Sequence, residues 1–278
     1  MPTFRDRLTA AQIATGSALC VGLDPDLDRI PEHIKRSRTP ESAVEFFCRG
    51  IVEATAEHAS AFKLNFAFFE RLGDHGFSVL RRVLRAIPQQ SVTIADAKRG
   101  DIGNSARFYA ASALDGMGFD SITVSPYMGR DSVLPFLTDS SHAAFLLIRT
   151  SNPGRTDLQD LVVDGAPLYQ RVAEMAVEWD GQAQGTVGFV VGASDLAAMA
   201  SLRQAAPNTP FLIPGVGAQG GNAADVIACS GATPGLTIVN SSRAICYASS
   251  GEDFARAAAA AAAEAAGALR ISTVPSNG

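Results

Sequence analysis

The densest chemistry in this chain lies in six residues. Asp96-Ala97-Lys98-Arg99-Gly100-Asp101 sets two carboxylates and an ammonium directly behind an apolar run, Ser91 to Ala95. In an extended chain alternate side chains share a face, so Ile94, Asp96 and Lys98 are expected to point one way, out of a core and into a pocket mouth. A carboxylate and an amine held there perturb each other's proton affinity, which is the condition for acid–base or electrostatic catalysis. A structural ion pair at a strand end fits the same six residues, and they alone do not separate the two readings.

A second constellation stands far down the chain. Gly215-Val216-Gly217-Ala218-Gln219-Gly220-Gly221 follows an apolar run and opens a helical pattern. Glycines let the backbone approach an anion, and free amides at a helix start attract it. Arg243, behind the next apolar run, adds a cation able to grip phosphate at two points. The spacing of Gly215, Gly217 and Gly220 also fits a dinucleotide fingerprint. That fingerprint belongs to a first strand–helix unit and wants an acidic residue at the end of the next strand, where this chain has Asn240. A tight turn without a ligand is the other reading.

Both constellations need a scaffold that brings distant residues together. Eight short apolar runs recur: Ala18–Leu23, Ala61–Leu64, Ser91–Ala95, Ser121–Val124, Ala143–Ile148, Thr186–Val191, Pro210–Ile213 and Leu236–Val239. Between them lie amphipathic patterns, among them Glu41–His58, Phe77–Ile87, Ser105–Met117, Leu168–Trp179, Asp195–Ala205 and Asn222–Cys229, with a weaker one over Gly129–Leu137. Strands alternating with helices imply parallel pairing through right-handed crossovers. Eight such units predict an α/β fold, a single (β/α)8 TIM barrel over residues 1–278 with a short disordered tail from about 272. In that fold the functional residues sit at the C-terminal rim of the strands. Asp24, Lys63, Asp96, Lys98, Ser125, Ser151, Pro214 and Arg243 would gather there. The Asn152–Pro167 connection is long enough to be a lid.

Bulk properties exclude several classes. A net charge of −5 argues against a nucleic-acid partner or an anionic membrane surface, though not against a local anion pocket. No stretch approaches twenty apolar residues, and Met1–Thr15 has no apolar signal core. Cys20, Cys48, Cys229 and Cys246 are too far apart for a metal knuckle or redox pair, and His33, His58, His75 and His142 show no zinc spacing. A reduced, cytoplasmic setting is expected, with no metal and no cofactor. The Ala-rich stretch Ala257–Ala266 is read as a peripheral helix.

Taken together, the strings Asp96 to Ser105, Arg149-Thr150-Ser151-Asn152-Pro153-Gly154 and Pro214 to Gly221 resemble those of the orotidine 5′-phosphate decarboxylases, in particular their longer bacterial (type 2) group. The resemblance runs from Leu23-Asp24 to Arg243. It implies conversion of orotidine 5′-monophosphate to UMP and CO2 in pyrimidine biosynthesis, without metal or cofactor. It further implies that Lys63, Asp96, Lys98 and Asp101 form an alternating charged network, with Asp101 reaching the neighbouring site of a homodimer. Asp24 would bind ribose hydroxyls, Ser151 the pyrimidine, and Gln219 and Arg243 the 5′-phosphate, with Pro214 beside the base. Ser105 stands where many relatives have threonine and would support the contact across the dimer. Decarboxylation leaves charge on a carbon with no adjacent electron sink. Lys98 would stabilise and protonate it, with Asp96 and Asp101 holding it in place as an ammonium. Two rivals remain: a magnesium-dependent sugar-phosphate enzyme on the same barrel, and a non-catalytic nucleotide-binding barrel.

Overall fold

Apolar runs of four to eight residues are too short to bury a helix and must satisfy their backbone groups by pairing. The computed structural model, which describes residues 2–215 and 222–272, pairs all eight. The strands are β1 (Leu19–Leu23), β2 (Ala61–Asn65), β3 (Val92–Arg99), β4 (Ser121–Val124), β5 (Ala143–Arg149), β6 (Thr186–Val191), β7 (Phe211–Pro214) and β8 (Thr237–Ser241). Each lies parallel to its neighbours, and β8 pairs back onto β1 to close the barrel. One expected end moves. β3 does not stop before Asp96 but continues through Arg99, carrying its charges inside the strand.

The period-two alternation of strands sorts side chains between two cores. Cys20, Ala61, Val92, Ile94, Ala143, Phe145, Val190, Leu212 and Ile238 fill the barrel interior. Their neighbours, such as Val21, Phe62, Ala95, Ile122 and Val239, pack outward against the helices. An N-terminal helix, Phe4–Thr15, closes the floor, an element the sequence reading did not include. Its Phe4 meets Phe145 edge-on, ring centroids 5.9 Å apart. Phe145 has room because Gly188 faces it; a Cβ there would lie 2.4 Å from the ring. The floor is therefore solid, and the free space of the barrel lies at the other end.

The amphipathic patterns form helices close to their expected bounds. Pro40–Thr55, Gly76–Leu84, Leu168–Asp180, Leu196–Ala205 and Ala223–Ser230 are α-helical, and Asp195 and Asn222 cap the last two. Gly103–Ala110 loosens into a π-helical turn over Ala111–Gly116. The Ala-rich segment lies in a peripheral helix, Phe254–Ala268, whose Phe254 stacks on Phe47 at 5.5 Å. Within the expected tail, the Ser272 amide donates to the Ala232 carbonyl at 2.9 Å. Residues 273–278 lie outside the described residues.

Candidate active site

Parallel register decides which polar residues meet. Gly22 pairs with Lys63, Lys63 with Ile94, and Asn65 with Asp96. Lys63 thus lies one inward-facing step below Asp96 on the adjacent strand, within reach of its long side chain, and Asp24 follows directly from β1. A cavity of about 560 Å³ opens there, at the C-terminal rim. Asp24, Lys63, Asp96, Lys98, Ser151 and Pro214 all line it, as the sequence reading expected. Ser125 does not.

The charges are tightly linked. Lys63 Nζ donates to Asp96 Oδ2 at 2.7 Å, and Lys98 Nζ to Asp96 Oδ1 at 2.5 Å. Asp24 Oδ1 lies 3.8 Å from Lys63 Nζ. Lys63 and Asp96 are 5% and 8% exposed, so neither can be solvated in place of its partner. Burial disfavours the charge on Lys63, but Asp24 and Asp96 outweigh it and push its pKa above the ordinary lysine range. Burial also disfavours the Asp96 carboxylate, yet Lys63 and Lys98 together bring its pKa down to about 2. At neutral pH the buried pair is ionised on both sides. Asp24 Oδ1 is buried and has no hydrogen-bond partner. A carboxylate oxygen left bare at a cavity wall suits a hydroxyl brought by a ligand.

This electrostatics sets a stability profile. The Asp96 pKa falls from an ordinary 3.8 to about 2 on folding. Its contribution is therefore present above about pH 4 and lost as the pH falls towards 2, an effect of about 2 kcal/mol. Lys63 acts at the other end, stabilising below 10.5 and losing its effect as the pH rises through its higher folded value. Asp96→Asn resembles the protonated state. Its stability deficit in urea unfolding should shrink by about 2 kcal/mol between pH 7 and pH 2.5. A deficit that stays constant over that range would contradict the ionised pairing.

The simple alternation expected along β3 fails beyond Asp96. Lys98 has a positive φ of 45°, and the register against β4 shifts between Ala95 and Arg99. Lys98 still turns into the cavity, but by way of a bulge rather than a regular pleat.

Three further expected site residues, Asp101, Ser105 and Arg243, do not line this cavity. The Asp101 carboxylate accepts from the Ile102 amide at 2.8 Å and does not line the cavity of its own chain. Ser105 is exposed on the helix Gly103–Ala110. Arg243 opens a short helix, Arg243–Cys246, directly after β8, on the same rim as Lys98 but exposed. Gln219 lies outside the described residues, with most of its glycine loop.

The cavity also has walls that the sequence reading did not assign: Asn65, Thr123, Thr150, Asn152, Gln159 and Asn240. Asn65, Thr123 and Asn240 lie at or near strand C-termini, a position that could have flagged them. Gln159 carries no such signal. It comes from the connection expected as a lid, which folds into a 3-10 turn, Pro153–Asp157, and a small hairpin, Val162–Val163 with Ala166–Pro167. Its root is pinned by Arg149. That buried guanidinium binds Asp160 and, at 2.9 Å, Asp195, and stacks 4.8 Å from the Tyr169 ring. Gln159 then closes on Thr150, accepting from its amide at 2.9 Å and donating to its hydroxyl at 2.8 Å. Among the described residues no cluster of three or more His, Cys, Asp or Glu is placed to hold a metal.

Known proteins match this arrangement along nearly the whole chain. An orotidine 5′-phosphate decarboxylase of Herpetosiphon aurantiacus is 44% identical over 257 residues, 92% of this chain and 93% of that protein. A solved Leishmania donovani OMP decarboxylase superposes with a TM-score of 0.78 at 37% identity, over 95% of this chain and 97% of that one. A Leishmania donovani UMP synthase structure gives 0.81 at 38% identity; the match covers 95% of this chain but 56% of that longer one. Residues 17–258 match the model of one family. With this match and relatives of such identity, the chain belongs to the Orotidine 5′-phosphate decarboxylase / HUMPS family.

Proposed function

We propose that this protein is an orotidine 5′-phosphate decarboxylase, a carboxy-lyase that converts orotidine 5′-monophosphate to UMP and CO2. The observation that carries the reading is the array Asp24–Lys63–Asp96–Lys98, linked side chain to side chain and lining one rim cavity in a chain of this family.

The chemistry follows from the residue types. The bond between C6 and the carboxylate carbon breaks, its electron pair stays on C6, and CO2 leaves. The Lys98 ammonium faces that pair, stabilises it and gives C6 a proton. Asp96 holds Lys98 and, near the substrate carboxylate, favours its departure. Fixed charges placed before the reaction supply the main effect. Asp24 takes ribose hydroxyls on its bare oxygen, with Lys63 beside it. Ser151 contacts the pyrimidine, and Pro214 packs beside the base. Arg243 and Gln219 hold the 5′-phosphate. The required barrier reduction is near the upper end of the usual range, ~23 kcal/mol. Binding energy from the phosphate must therefore assist in ordering the charges.

The working unit in this reading is a homodimer of single-barrel chains with shared sites. Its support is the position of Asp101 outside its own cavity, next in the chain to exposed Ile102, and the presence of further exposed apolar side chains at Phe108 (68%), Tyr127 (80%) and Met128 (53%). Ser105, on the same exposed helix, steadies the contact across the dimer. A cytoplasmic setting fits four cysteines that are all free thiols. No helix among the described residues is long and apolar enough to cross a membrane.

The test follows the absorbance of orotidine 5′-monophosphate in the presence of EDTA. Turnover should be undiminished by the chelator. Activity that vanishes in EDTA and returns with magnesium would contradict the metal-free mechanism, and no turnover at all would favour the sugar-phosphate enzyme or a binding barrel.

A further inference from the structure

We infer that Thr123 is a positioning residue for this reaction, its one hydroxyl fixing both the main chain of Lys98 and the carboxylate of Asp96. The inference rests on the decarboxylase reading and adds a residue whose side chain does no bond-making itself.

The starting point is the bulge in β3. Pairing with β4 is regular at Ile94↔Ser121 and Ala95↔Ile122, then resumes only at Arg99↔Val124. From Ala95 to Arg99 is four steps, from Ile122 to Val124 two, so β3 carries two residues in excess. The extra chain is absorbed with Lys98 in the left-handed region, at φ 45°. That conformation costs a lysine roughly 1 kcal/mol or more and persists only where the surroundings enforce it. The bulge also takes the Lys98 N–H out of the regular ladder with β4. Thr123 Oγ1 accepts it instead, at 2.9 Å. The hydroxyl has one proton to give, and it donates to Asp96 Oδ1 at 3.1 Å.

These contacts close a ring. The Lys98 backbone leads to Thr123, Thr123 to Asp96, and Asp96 back to the Lys98 ammonium at 2.5 Å. The lysine is thus tied at its root and at its tip to one carboxylate, whose other oxygen is held by Lys63. The contrast in exposure shows why this matters. Thr123 is 2% exposed, whereas the Lys98 side chain is 53% exposed and can swing on a flexible stem. With the hydroxyl removed, the tip contact alone would fix the direction of the ammonium. A proton donor displaced by about 1 Å can cost 100-fold in rate.

Thr123→Val removes the hydroxyl while nearly keeping the shape. The expected result is a kcat lowered roughly 10- to 100-fold with KM changed less than about threefold, because the ring aims the donor and does not bind the nucleotide. Thr123→Ser keeps the hydroxyl and should retain most of the activity. The acid limb of the kcat profile should move to higher pH in Thr123→Val, since Asp96 loses a donor to its charged form. The titratable groups facing Asp96 are Lys63, Lys98, Asp24 and Cys20, and the substitution leaves all four in place. A purely structural threonine would lower stability and leave that limb where it was. Thr123→Val turning over within about twofold of wild type, or Thr123→Ser losing as much as Thr123→Val, would overturn the inference. If Thr123→Val does not fold, Thr123→Ser against Thr123→Ala makes the same comparison. A wild-type protein without decarboxylase activity would strike the proposed function instead, so the two failures are distinguishable.

Discussion

Lys98→Ala protein should bind UMP with near-normal affinity and lose turnover by at least about 10⁴-fold. The size of the effect comes from two roles in one group. In the proposed mechanism Lys98 faces the electron pair left on C6 and protonates it, and among the described residues lining the cavity the other cation is Lys63. Lys63 is committed to Asp96 at 2.7 Å and is buried, so it is not free to turn towards the substrate. UMP carries no charge at C6, which is why its affinity should survive. An analogue with an anionic oxygen at C6 should lose far more affinity than UMP does. Turnover in Lys98→Ala within tenfold of wild type would remove this lysine from the chemistry.

The second large effect concerns two inactive proteins that restore each other. Asp101→Ala and Lys98→Ala, each inactive alone, should regain activity when their subunits are exchanged. In a hybrid dimer with shared sites, one site collects both substitutions and the other collects neither. Random mixing makes half the dimers hybrid, and half their sites are intact. The mixture should therefore approach about a quarter of wild-type activity. The geometry motivates the experiment: Asp101 does not line the cavity that holds Lys98 of its own chain, and it is followed by the exposed Ile102. Activity absent after mass spectrometry has confirmed hybrid dimers would place Asp101 outside the neighbouring site.

The eight strands were legible because each is a short apolar run that ends in a polar residue, and a barrel aligns those ends by construction. For the same reason Asp24, Lys63, Asp96, Lys98, Ser151 and Pro214 could be gathered at one rim before any coordinate was known. The bulge in β3 was not legible. Asp96-Ala97-Lys98 reads as ordinary alternation, and the left-handed turn at Lys98 is imposed by its partner strand and by Thr123. Gln159 was hidden for a related reason: its place in the wall depends on ion pairs of Arg149 with Asp160 and Asp195, which are distant from one another along the chain. The N-terminal helix was missed because its apolar face is narrow, with Phe4 and Leu8 doing most of the burying.

That helix has a consequence for traffic. With Phe4, Leu8 and Phe145 packed across the axis of the barrel, the described residues make a vessel stoppered at its floor. Nucleotide, departing gas and the water that restores the spent proton then have the rim side, not the floor, as their doorway. Whatever narrows that doorway during a cycle delays every one of them together.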